Sequence, residues 1–179
     1  MTSKSTPIGK SASASRKTSA PALRIGDVFA IPFPGGREGY GQIVLPGDAL
    51  YVVVFEPLLA SRPEIASIGR MPILLVGWTL DSLLHTNKWT VIGNTVPEIG
   101  RIPFPAYRVL VSGEQRVHSF DGSKWRRARP GEIDLLDEKT IRSPVRYQNA
   151  LMAHHALAMD DEDYRKLERP YVAARVLDI

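Results

Sequence analysis

A chain of 179 residues, 44% hydrophobic and 23% charged, has the size and make-up of one soluble globular domain, and such a length buries roughly 70% of its unfolded surface. The absence of cysteine excludes disulfides, thiolate zinc sites and iron–sulfur clusters. No apolar run approaches the ~18 residues that cross a bilayer, and no apolar segment near the N-terminus marks a secretory signal, so a cytoplasmic protein without membrane contact is expected.

The formal charge of +4 and the pI near 9.5 invite a nucleic-acid reading. The charge, however, sits at one end. Residues 1–22, "MTSKSTPIGKSASASRKTSAPA", hold Lys4, Lys10, Arg16 and Lys17 and no acid, so residues 23–179 are formally neutral. This Ser-, Ala- and Lys-rich stretch has almost nothing to bury and is expected to be a disordered leader ahead of a single domain, residues 23–179.

From Leu23 the pattern becomes that of strands. "LRIGDVFAIPF" is rich in β-branched and aromatic residues, and "YGQIVL" and "LYVVVFE" follow at short spacing across the turn chemistry of Pro46-Gly47-Asp48. The run Tyr51–Phe55 is apolar at every position, which predicts a strand covered on both faces. After the looser "PLLASRPEIASIGRMP" comes another buried strand, "ILLVGW". "TLDSLLHTN" predicts a short helix, with Thr79 or Asp81 as cap and Asn87 as stop. "KWTVIGN" returns to strand, and residues 95–105, with three prolines, predict loop or edge. "AYRVLVS", "RVHSFDG" and "KWRRARP" predict short strands turning at Ser112-Gly113 and Asp121-Gly122.

The C-terminal part is expected to be helical. Ser143 as N-cap and Pro144 at the first position start a helix, on which Tyr147, Ala150, Leu151, His154 and Ala158 share an apolar stripe. "DDEDYRKLE" predicts a second helix with acids in its first turn. The expected fold is α+β and mainly β: a strongly bent or partly barrel-like antiparallel sheet, a short mid-chain helix and C-terminal helices.

The stretch Gly26–Val44, "GDVFAIPFPGGREGYGQIV", holds five glycines and raises the question of a phosphate loop. The spacing fits neither G-x-G-x-x-G nor a Gly-Lys-Ser/Thr ending, and a strand follows where a helix would be needed. A hairpin is predicted, with Gly39 and Gly41 leaving room for a bulge or a neighbouring side chain. No catalytic motif is present, and His85, His118, His154 and His155 show no metal-ligand spacing, so neither cofactor nor metal is expected. His154 is expected in the core, His155 at the rim. "DDEDY" lacks the spacing of a calcium loop.

The ordered motifs "IGDVFAIPFPGGREGYGQIV", "YVVVFEP", "ILLVGWTLDSLLHTNKWTVIGN" and "IPFPAYRV", from about Ile25 to Val109, resemble the immunity protein 26 family of bacterial polymorphic toxin systems, with a continuation through "RSPVRYQNALMAHHAL". The resemblance implies a non-enzymatic antitoxin whose partner is a cognate toxin, encoded nearby. It carries over no catalytic residue.

Under that reading, the expected toxin-binding residues are the acids of two segments: Glu132, Asp134, Asp137 and Glu138, and Asp160, Asp161, Glu162 and Asp163. Such acids could face the cationic cleft of a nuclease toxin, and they could equally be solvated loops and helix caps. The alternative reading is a nucleic-acid-binding β-domain using the basic tail with Trp125, Arg126, Arg127 and Arg129, in which an aromatic stacks on a base while cations hold phosphate. The same "KWRRARP" alternation also suits an exposed edge strand, and the neutrality of residues 23–179 speaks against a specific nucleic-acid partner. A small hydrolase ranks last, because nothing places two carboxylates in a defined relation.

Overall fold

The computed structural model describes residues 22–179, so the expected leader lies, Ala22 apart, outside the described residues. Nine strands are described: β1 (Asp27–Pro32), β2 (Glu38–Leu45), β3 (Leu50–Phe55), β4 (Ile73–Thr79), β5 (Thr90–Asn94), β6 (Tyr107–Val111), β7 (Glu114–His118), β8 (Trp125–Arg127) and β9 (Ile141–Arg142). Five short helices accompany them: α1 (Ile65–Ile68), α2 (Ser82–His85), α3 (Glu132–Leu135), α4 (Pro144–His154) and α5 (Arg169–Ala173).

The strands form two sheets, one in the order β5-β1-β2-β3-β4-β9 and one in the order β6-β7-β8. Pairing is antiparallel except between β4 and β9. The expected α+β, mainly β fold is present. Register shifts at Val28/Phe29, Ile43/Leu45 and Val54/Phe55 mark where the large sheet bends. It stays open, with β5 and β9 as its two edges.

Both faces of the large sheet are covered, as the unbroken apolar run of β3 requires. Phe29, Ile31, Val52 and Val54 point to one side, where Tyr147, Ala150 and Leu151 of α4 and Trp89 close the core. Val28, Ala30, Tyr51 and Val53 point to the other, against Ile68, Ile102 and Val172. The period-two alternation of side chains thus feeds two cores from one strand.

The glycine-rich stretch is the β1–β2 hairpin, turning through a 3-10 turn at Pro34–Gly36, with Gly35 and Gly36 at positive φ. Gly41 lies under the ring of Phe29, which itself stacks on Trp89 with centroids 5.0 Å apart. A Cβ on Gly39 would lie 2.6 Å from Cδ2 of Leu151, so α4 docks where β2 has no side chain. The glycines admit neighbouring side chains, as predicted.

The motif Gly26-Asp27 is tied to Asn94 at the end of β5. Asn94 Nδ2 donates to Asp27 Oδ1 at 2.8 Å and to the Ile25 carbonyl at 2.9 Å, and Gln42 Nε2 donates to the Thr95 carbonyl at 2.7 Å. These polar residues hold the edge of the sheet.

Several local expectations need correction. Thr79 is a strand residue whose hydroxyl donates to the Arg142 carbonyl, and Asp81 pairs with His85 at 2.7 Å, so neither side chain caps α2. Asn87, at φ 55°, does end that turn. Pro144 opens α4 without a Ser143 side-chain bond. The helix stops at His154, which is exposed, and Ala158 lies beyond it. It is His155 that turns inward, its Nε2 2.7 Å from the Glu56 carbonyl oxygen. The segment Glu162–Leu167 is a 3-10 helix rather than the start of an α-helix.

Candidate functional site

The small sheet is built from two tight turns. Ser112 and Gly113, both at positive φ, join β6 to β7, and the carboxylate of Asp121 holds the β7–β8 turn by accepting from the Ser123 amide at 3.0 Å and from the Ser119 hydroxyl at 2.7 Å. These bonds hold the Asp121 carboxyl down at about 2. An aromatic cluster of Tyr51, Trp78, Phe104 and Phe120 fastens this sheet to the large one, with Phe120 stacked on Trp78 at 5.0 Å.

β8 is the edge strand that "KWRRARP" predicted. Its cations are largely engaged. Arg126 makes a two-pronged pair with Glu132, both contacts at 2.7 Å, and Arg127 pairs with Glu114. Trp125 is 53% exposed, and the guanidinium of Arg116 covers one face of its ring at 4.0 Å. Arg129 contributes its backbone amide to Glu132. Of the described residues grouped for nucleic acid, Arg126 and Arg127 are paired with acids and Trp125 is covered on one face, while the basic tail lies outside the described residues.

The first acidic segment follows this strand. Glu132, in α3, receives Arg126 and the Arg129 amide, and these bonds hold its carboxyl down at about 2. Asp137 accepts from the Tyr171 hydroxyl and from Arg175 Nε, each at 2.8 Å, which buckles the segment to α5. Burial first, then the bond to Asp137, raises the Tyr171 hydroxyl above its ordinary value. Asp134 and Glu138 are exposed and make no ion pair among the described residues. Beside them, Leu135 is 59% exposed.

The second segment caps the 3-10 helix. Asp161 accepts from the Asp163 amide at 3.0 Å, Arg146 of α4 reaches Asp163 at 2.7 Å and Asp161 at 3.4 Å, and Lys166 lies 3.6 Å from Asp163. Asp160 accepts from the Asp161 amide, and Glu162 makes no ion pair among the described residues. Among the described residues, no group of three His, Asp or Glu side chains is arranged to hold a metal ion.

No hydrogen bond or ion pair among the described residues joins the two acidic segments to each other. The first segment borders a cleft of about 270 Å³ between the sheets, where Asp137 and Glu138 stand at one wall and Lys166 and Leu167 at another; Asp160, Asp161, Glu162 and Asp163 are not among its lining residues. Arg108, Arg142 and Arg175 line the same cleft. The acids therefore do not stand alone; cations are interleaved with them. Apart from Asp137 and Glu138, the cleft residues escape the sequence reading because they come from β4, β6, β9 and the C-terminal helices, and no local motif spans them.

Comparison with known proteins gives one finding. No curated protein and no solved structure matches the chain. The family model of immunity protein 26 matches residues 24–112, from the approach to β1 to the β6–β7 turn. The stretch agrees with the ordered motifs from Ile25 to Val109, while the acidic segments and α4 lie outside it. Over residues 24–112, just under half of its length, this chain is similar to the immunity protein 26 family.

Proposed function

We propose that the protein is an antitoxin that binds a toxin protein and blocks it by covering its working surface, with no bond made or broken. The single observation that carries this reading is the family match over residues 24–112. Occlusion needs a rigid surface of ~800 Å² per partner with complementary charge, and no chemistry. Consistent with that, the turns and acids around the small sheet are held by two-pronged and capped hydrogen bonds.

Within this reading, the eight acids of the two segments form the charged part of the toxin contact. They do not contribute equally. Glu132, Asp137, Asp161 and Asp163 already hold arginines of their own chain, so their charge is largely spent at home. Asp134, Glu138, Asp160 and Glu162, exposed and without an ion pair among the described residues, are the ones that steer a cationic partner.

Two measurements test this. Co-expression with the toxin encoded beside it should restore growth and yield a stoichiometric complex. Inhibition by far less than one equivalent would mean turnover, and occlusion would be wrong. In the purified pair, Asp134→Lys, Glu138→Lys and Glu162→Lys together should slow association about tenfold and flatten its salt dependence. An unchanged association rate would remove these acids from the interface.

A further inference from the structure

The cleft between the sheets has a donor set that the described residues do not satisfy. Arg142, half-buried in β9, makes no ion pair among the described residues. Among the described residues Arg108 in β6 also lacks a carboxylate; one Nη reaches only the Ile133 carbonyl, at 3.5 Å, and its Nε is buried without an acceptor there. The Arg108 Nε is thus a buried donor that the fold keeps against a desolvation penalty, whereas Arg142 is only half-buried.

A third donor stands with them. The Tyr107 oxygen accepts from Trp78 Nε1 at 2.9 Å, which leaves its own O–H free to donate. Burial raises this hydroxyl well above its ordinary value, so the proton stays on across the physiological range. The neighbouring Tyr147 hydroxyl is not available, because it donates to the Trp78 carbonyl at 3.1 Å.

Against these donors the cleft offers two carboxylates. Asp137 is engaged by Tyr171 and Arg175, and Glu138 lies more than ion-pair distance from either open arginine. Lys166 is drawn to Asp163. Val76, Pro105, Leu167 and Val172 give the lining its apolar part, beside Gly77, Trp78, Ala106 and Thr140. A volume of about 270 Å³ lies just under the ~300–1,000 Å³ of ordinary ligand sites and suits a small molecule.

We propose that this cleft is a binding site for a small organic carboxylate with an apolar body. The carboxylate lies between the guanidinium groups of Arg142 and Arg108, whose planar forks match its two oxygens. The Tyr107 hydroxyl donates to it as well, and the apolar body packs on Val76, Leu167 and Val172. The site shares Asp137 and Glu138 at its wall with the acids proposed to meet a toxin, but its donors are other residues and it does not depend on that reading.

The test uses 3-phenylpropionate as probe and the amide spectrum of the whole protein as readout. Saturable shifts are expected at residues 76–78, 106–108 and 141–142. The uncharged isostere 3-phenylpropionamide should bind at least tenfold more weakly, and inorganic phosphate should not saturate the same signals. Arg142→Gln should weaken the probe at least tenfold with the rest of the spectrum intact, and Arg108→Gln serves where that variant does not fold. Tyr107→Phe should weaken it about threefold. Equal binding of acid and amide, phosphate saturating the same residues, or full affinity in a folded arginine variant would each overturn the proposal.

Discussion

Gly41 shows how one missing side chain fixes the packing of three residues. A methyl group at this position would press into the Phe29 ring and lie 2.9 Å from the Val53 carbonyl oxygen. The ring cannot swing aside, since it is stacked on the fully buried Trp89 at an interplanar angle of 6°. Gly→Ala in a compatible strand gains about 0.4–1 kcal/mol by restricting the unfolded chain, whereas overpacking costs about 1–3 kcal/mol. The second term wins here. Gly41→Ala should lower stability by about 1–2 kcal/mol, read as a lower denaturant midpoint at unchanged slope, and a stabilised variant would show that the ring has room. Glu132 supplies a pH signature at the same scale. Arg126 first and the Arg129 amide second hold its carboxyl at about 2 in the folded state, against 4.5 for an unperturbed one. Between those values the unfolded state binds more protons, so the stability present above about pH 4.5 is withdrawn as the pH falls towards 2. Glu132→Gln removes that term. Its melting temperature should fall less than that of the wild type between pH 5 and pH 2.5, with Asp121 leaving some slope behind; an identical fall would mean the pair contributes nothing.

At the scale of elements, α4 is held on the large sheet by a knob without a socket wall: Leu151 fills the space above Gly39. Leu151→Ala should cost about 2–5 kcal/mol, the range for a buried leucine whose site collapses only partly. Gly39→Ala should be harmful in the wild type, yet milder in the Leu151→Ala background, with a coupling of about 1 kcal/mol in a double-mutant cycle. Strict additivity would show that the two do not share that space. These elements also show what the sequence makes legible. The strands of the large sheet announce themselves because β-branched runs and turn residues alternate at short spacing. β9 does not, since two residues carry no periodicity, and only its pairing to β4 makes it a strand. The end of α4 was misplaced because the apolar stripe continues to Ala158, while Ala156 turns left-handed at φ 55° and ends the helical geometry. Past that point a 100° step no longer says which side a residue faces, and His154 and His155 exchange the roles expected of them. The acids were legible as charge but not as partners: which arginine meets Asp137 or Asp163 is decided by contacts 17 to 38 residues apart in the chain. The cleft was invisible for the same reason.

For the molecule as a whole, the open matter is whether residues 23–179 behave as one folding unit or as a large sheet carrying a loosely joined small one. Several ties cross the junction. Trp78 Nε1 donates to the Tyr107 hydroxyl, the Ala106 amide to the Arg175 carbonyl, and Phe120 reaches from the small sheet into the rings of Tyr51, Trp78 and Phe104. Aromatic pairs of this geometry add ~0.5–1.5 kcal/mol each beyond their buried area, so the ring of Phe120 carries a large part of the joint. The three tryptophans are placed to report on it: Trp89 in the large core, Trp125 on the small sheet, Trp78 at the junction. With 5-fluorotryptophan incorporated, the three fluorine signals of the wild type should disappear together on heating, as a single cooperative unit requires. Phe120→Ala should separate them, Trp125 leaving several degrees before Trp89 and Trp78 broadening in between. If Trp125 melts ahead of Trp89 in the unaltered protein, the small sheet is an independent module. Any partner bound through the acids that follow β8 would then be held on a mobile arm rather than on a rigid face.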